Sequence, residues 1–162
     1  IERKQQIVRS TTGQLVLDYH KGLLTIDAPA AQGLCGALSA AGPTKLKDLT
    51  IQSDMELGAI VAVSLDGRPM AESQRILLQV MSEEKNAQWR TEPAGVGVYR
   101  IVNIGQDPWL VRNIAGVVRL HRADAAKLRV TALDHSGYPA RPIGTADRIE
   151  LQPQTLYYLI GR

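Results

Sequence analysis

Lys127-Leu128-Arg129-Val130-Thr131-Ala132-Leu133-Asp134 is the stretch that decides the fold class. Leu128, Val130 and Ala132 alternate with Lys127, Arg129 and Thr131. A period of two puts alternate side chains on opposite faces of an extended chain, so this is a half-buried β-strand. Outward from it the same short period recurs. Residues 14–18, 23–27, 60–65, 76–80, 98–103, 117–120, 148–151 and 156–160 are runs rich in Val, Ile, Leu and Thr, the residue types strands prefer. Turn residues separate them at intervals of roughly 8 to 12 residues, as in a sandwich or barrel. Asp66-Gly67 and the Asp134-His135-Ser136-Gly137 segment follow two similar strands, and both predict tight hairpins because they supply positive φ angles.

Helix signals are sparse. Residues 32–41 contain Ala and Leu but also Gly33 and Gly36, and each interior Gly costs about 1 kcal/mol relative to Ala. Residues 123–127 have room for one turn. Proline recurs from Pro29 to Pro153 and leaves little space for long helices. The expected architecture is a single all-β domain over residues 1–162, an antiparallel β-sandwich of immunoglobulin-like or jelly-roll type.

Composition narrows the function classes. The 162 residues are 44% apolar and 22% charged, which excludes wholesale disorder. No run approaches the roughly 18 apolar residues of a membrane helix. One cysteine excludes an internal disulfide framework. The net charge is +3, and Arg68, Arg75, Arg90, Arg100, Arg112, Arg119 and Arg122 are interspersed with acids rather than clustered. Nucleic-acid binding calls for clustered charge, so no nucleic acid and no membrane partner is expected. The spread arginines fit solvated strand faces or an interface at which Arg pairs with carboxylates.

Catalytic and cofactor motifs are missing. There is no G-x-S-x-G elbow, no H-E-x-x-H pair and no phosphate loop ending in Gly-Lys-Ser/Thr. His20, His121 and His135 do not stand at metal-ligand spacing, and Cys35 in an apolar run reads as a small buried thiol. Asp18, Asp27, Asp66 and Asp134 close strands or open turns, where Asp bonds backbone, and Glu83-Glu84 reads as a solvated loop. No catalytic residue, cofactor or metal is assigned. The remaining candidates are aromatic. Trp89 and Trp109 fall in loop-like contexts and could stack on sugar rings, with Tyr138, and more weakly Tyr19 and Tyr99, in the same role. The competing expectation is that both indoles are core or lid residues of a sandwich.

Three segments carry a resemblance. They are residues 11–18 with 22–29 and Gln32-Gly33; Ser64-Leu65-Asp66-Gly67-Arg68-Pro69 with residues 73–78; and residues 130–134 with 155–160. In this order the chain resembles the C-terminal β-sandwich domain that follows the (β/α)-barrel of some large bacterial glycoside hydrolases. The resemblance implies a non-catalytic accessory domain whose partner is the catalytic barrel of its parent chain. The parent would be secreted or periplasmic, with polysaccharide as a further partner. The start at Ile1 fits a domain excised from something longer. An accessory domain of this kind is expected to leave an apolar or arginine-rich patch open where the barrel packs. The alternative is a carbohydrate-binding module using Trp89 and Trp109.

Overall fold

The computed structural model describes residues 1–162. The strands in chain order are β1 (Ile7–Arg9), β2 (Leu15–Asp18), β3 (Leu23–Ala28), β4 (Ala31–Gly36), β5 (Thr44–Lys45), β6 (Leu49–Gln52), β7 (Gly58–Ser64), β8 (Arg75–Ser82), β9 (Glu84–Ala87), β10 (Arg90–Gly95), β11 (Val98–Asn103), β12 (Gln106–Val111), β13 (Val117–Leu120), β14 (Arg129–Leu133), β15 (Pro139–Thr145), β16 (Ile149–Glu150) and β17 (Tyr157–Gly161). Helix is confined to two 3-10 turns, Leu38–Ala40 and Ala125–Lys127. The chain is therefore all-β, as the alternating runs predict.

One antiparallel sheet has nine strands in the order β1-β2-β3-β4-β7-β8-β17-β14-β15. A second has four, β16-β13-β6-β5, and neither closes into a barrel. The register defines the inner face of the large sheet. Leu78, Tyr158 and Ala132 stand side by side on β8, β17 and β14, and so do Ile76, Ile160 and Val130. The small sheet supplies Leu49, Ile51, Val118, Leu120 and Ile149 to the same core. Burying each Leu or Ile contributes roughly 1.5–3 kcal/mol, so this shared layer is what holds the two sheets face to face.

Two polar clasps join the layers. The Gln32 side chain on β4 donates to Asp48 Oδ2 at 2.6 Å, and its carbonyl oxygen accepts the Asp48 N–H at 2.9 Å. Arg122, after β13, makes a two-pronged pair with Asp124 and donates through Nη1 to the carbonyls of Met70 and Ser73. These donors hold the Asp124 carboxyl below the usual carboxylate range, chiefly through its hydrogen bonds from Arg122.

The Asp66-Gly67 segment departs from the expected tight hairpin. β7 ends at Ser64 and β8 begins at Arg75, so residues 65–74 form a longer loop. Asp66 closes it. Its carboxylate accepts the Gln74 N–H at 2.8 Å, the Ser73 hydroxyl at 2.8 Å and the Ser64 hydroxyl at 2.9 Å. The folded loop drives Met70 fully into the core. Asp134 behaves more as expected, accepting the N–H groups of Ser136 and Tyr138 across a short turn.

The bonds to Asp66, that from the Gln74 N–H above all, keep its carboxyl far below the ordinary value. A carboxyl depressed on folding contributes stability that is complete above the unfolded value, about 3.9, and is lost as pH falls through the folded one. Asp66→Asn is therefore expected to be less stable at neutral pH and to lose stability less steeply below about pH 4 than the wild type. Urea midpoints measured across that range check this; parallel pH profiles would refute it.

Candidate functional site

The outer face of the large sheet carries apolar side chains in register across several strands. One row across it runs Ile26, Gly33, Val61, Gln79, Tyr157, Leu133, and the next runs Ala31, Val63, Leu77, Leu159, Thr131. A sheet with one wet face alternates apolar and polar residues, whereas a sheet covered on both faces is apolar throughout. β7 and β17 follow the second pattern, and β8 sets Leu77 and Met81 among Arg75 and Gln79 on the same face, yet only the inner face is covered. Val61, Val63, Leu77, Tyr157 and Leu159 are half-buried there, Arg75 and Gln79 are exposed, and Leu15, Leu17, Leu65 and Met81 add exposed apolar surface.

A shallow depression of about 540 Å³ opens on this face. Leu77, Leu133, Tyr157 and Leu159 form its floor, with Leu65 and the residues around His135 at its rim. Beside it lies a second hollow of about 490 Å³, which shares Arg75 and Leu159 with the first and also includes Arg129 and Gly161. The sequence signal for this face was the unbroken apolar character of residues 76–78 and 156–160, which periodicity alone reads as ordinary strand.

The aromatic candidates separate into two places. Trp109 is on β12 and Trp89 lies just after β9, and these two strands pair as a ribbon outside both main sheets. The register sets Trp109 opposite Asn86. Trp109 is 66% exposed, so it is not a core residue, and Trp89 is half-buried. The ribbon makes no strand pairing with either main sheet. The loop-like context is corrected, because Trp109 sits in a strand. Tyr138, 69% exposed, is in the β14–β15 turn at the edge of the apolar depression, on a different element from the ribbon.

Comparison with protein-family models, curated proteins and solved structures found no match.

Polar groups with chemical potential are tied up in structure. Asp18 accepts the Lys21 N–H and Asp27 the Lys47 N–H. Glu83, expected in a solvated loop, instead anchors the ribbon through ion pairs to Lys85 and Arg112, while Glu84 opens β9. The hydrogen bond from Lys85, with Arg112 nearby, draws the Glu83 carboxyl below its ordinary range. His121 shares a hydrogen bond with the Thr50 hydroxyl at 2.7 Å. Cys35 is half-buried, and that burial pushes its thiol up, away from the thiolate a nucleophile needs. No group of three or more His, Cys, Asp and Glu side chains converges as metal ligands would.

Because Trp109 is so exposed, Trp109→Ala is expected to change folding stability by no more than about 0.5 kcal/mol. Denaturant unfolding of the variant checks this, and a loss above about 1.5 kcal/mol would mean that the indole is a packing residue after all.

Proposed function

We propose that this chain is a non-catalytic accessory domain that docks the outer face of its nine-stranded sheet onto a second protein domain, a catalytic barrel of the glycoside-hydrolase type. What carries the docking is a single observation: apolar side chains run across an uncovered face of the sheet, from Val61 and Val63 through Leu77 to Tyr157, Leu159 and Leu133. Monomeric proteins rarely leave contiguous apolar patches larger than a few hundred Å² open to water. The resemblance of three ordered segments to the domain that follows such barrels supports the identity of the partner. The carboxylates bonded to backbone and to basic side chains support a supporting rather than a chemical role.

The test has two stages. Coding sequence upstream of Ile1 should contain a barrel in the same reading frame. The barrel, produced separately, should bind this chain. Leu77→Glu places a charge at the centre of the face and should weaken that binding by about 100-fold or more, as loss of a buried interface anchor does. Its folding stability should stay within about 1 kcal/mol of wild type, because the side chain is outside the core. Binding that tolerates Leu77→Glu would remove the face from the proposal.

A second reading is favoured by the exposure of Trp109, which is suited to stacking on a sugar ring. It expects oligosaccharide to shift tryptophan fluorescence and Trp109→Ala to remove the shift. An unchanged spectrum under saturating oligosaccharide would end it.

A further inference from the structure

At the outward register positions of β2, β3, β4, β7, β8, β17 and β14, only Arg75 and Arg129 are charged. Both are paired in register with Gly161, one from each side. Adjacent strands are about 4.8 Å apart, so the two arginines rise roughly 10 Å from each other with no side chain between them. No side chain fits at position 161, because a Cβ there would stand 2.8 Å from the carbonyl oxygen of Gln74, which lines the hollow. The nine ion pairs of the molecule include neither arginine, and neither donates a side-chain hydrogen bond. Arg162 lines the same hollow but is engaged by Asp124 at 3.5 Å.

Covering the apolar face strips water from these two guanidiniums. A buried cation without a partner is strongly destabilising, whereas one that receives a carboxylate is compensated. Two free arginines, in a hollow shared with Gln74, Thr131, Leu159 and Arg162, are too few to track a nucleic-acid backbone, which needs a stripe of charge. They fit one anion next to an apolar group. We propose that the partner covering this face presents an Asp or Glu carboxylate that seats between the guanidinium groups of Arg75 and Arg129. An apolar side chain of the same segment then enters the depression floored by Leu77 and Leu159. This rests on the docking reading given above and specifies its chemistry.

The probe is a capped peptide, acetyl-Leu-Glu-Leu-amide, titrated to about 20 mM into the isotope-labelled chain, with acetyl-Leu-Gln-Leu-amide as the neutral control. The Arg75 and Arg129 Nε–H signals and the Leu77 and Leu159 methyl signals should move together with the acidic peptide. The neutral peptide, and the acidic peptide on Arg75→Gln or Arg129→Gln, should bind about tenfold more weakly, the loss of one charge-assisted contact. Equal binding of the two peptides with methyl shifts would overturn the carboxylate seat and leave the docking face standing. No methyl shift with either peptide would overturn both. Inorganic sulfate or a sulfated oligosaccharide that moves the arginine signals as strongly as the acidic peptide does, without the methyls, would replace the proposal with a simple polyanion site.

Discussion

Gln32→Ala is expected to cost about 3 kcal/mol of folding stability, seen as a large drop in the urea midpoint. Gln32 is 0% exposed and Asp48 8%. The substitution removes a donor and an acceptor together and leaves the Asp48 carboxylate and its own N–H facing a void. An unsatisfied buried polar group costs roughly 1–3 kcal/mol, more when charged, and the lost side-chain volume adds a cavity. Gln32→Glu discriminates the cause. It keeps the shape but opposes two carboxylates, so one must hold a proton in the folded state. A carboxyl raised on folding stabilises most at low pH and loses that contribution as pH rises. The variant should therefore gain stability between pH 7 and pH 5, where the wild type has no such gain from this pair. A cost under about 1 kcal/mol for Gln32→Ala would show that the clasp merely replaces water.

Arg122→Ala is expected to cost about 2–3 kcal/mol. Its side chain is 7% exposed and holds two carbonyls of the 65–74 loop as well as the Asp124 carboxylate. Without it, the Met70 and Ser73 carbonyls lose their donor and the loop loses its link to the small sheet. Arg122→Lys should recover less than half of the loss, because an ammonium group cannot reproduce the planar fork that meets Asp124 while also reaching both carbonyls. Faster hydrogen exchange at the Ser73 amide, which bonds the Pro69 carbonyl, should accompany the loss. Full rescue by Lys would show that charge alone matters.

Strands that bury one face were legible in the sequence. The alternation from Leu128 to Ala132 gave β14, and the run from Val117 to Leu120 gave β13 with its observed limits. Strands β9, β10 and β12 were not legible as such. They form two-stranded ribbons whose residues are mostly exposed, so no buried face imposes a period of two, and Pro93, Gly95 and Pro108 read as breakers. β4 was hidden for another reason. Its Gln-Gly-Leu-Cys-Gly composition lacks β-branched residues, and it is held by its neighbours β3 and β7 rather than by propensity. The outer face was visible only as an excess of apolar residues in β8 and β17. Whether such an excess is covered depends on strand order, which residues distant in sequence decide. The exposed indole of Trp109 and the pairing of Arg75 and Arg129 across Gly161 depend on that order in the same way.

The position of β17 between β8 and β14 bears on how the molecule comes together. It is the last strand of the large sheet to leave the ribosome, yet it is the seam between the β1–β8 half and the β14–β15 half. Until it arrives, each half presents an open hydrogen-bonding edge and an incomplete core layer, the condition in which nascent β-chains pair with the wrong neighbour. Closure of the sheet is thus a late event that joins residues far apart in the chain, and ribosome-bound intermediates of this protein should depend on chaperones until Tyr157 to Gly161 are free to insert.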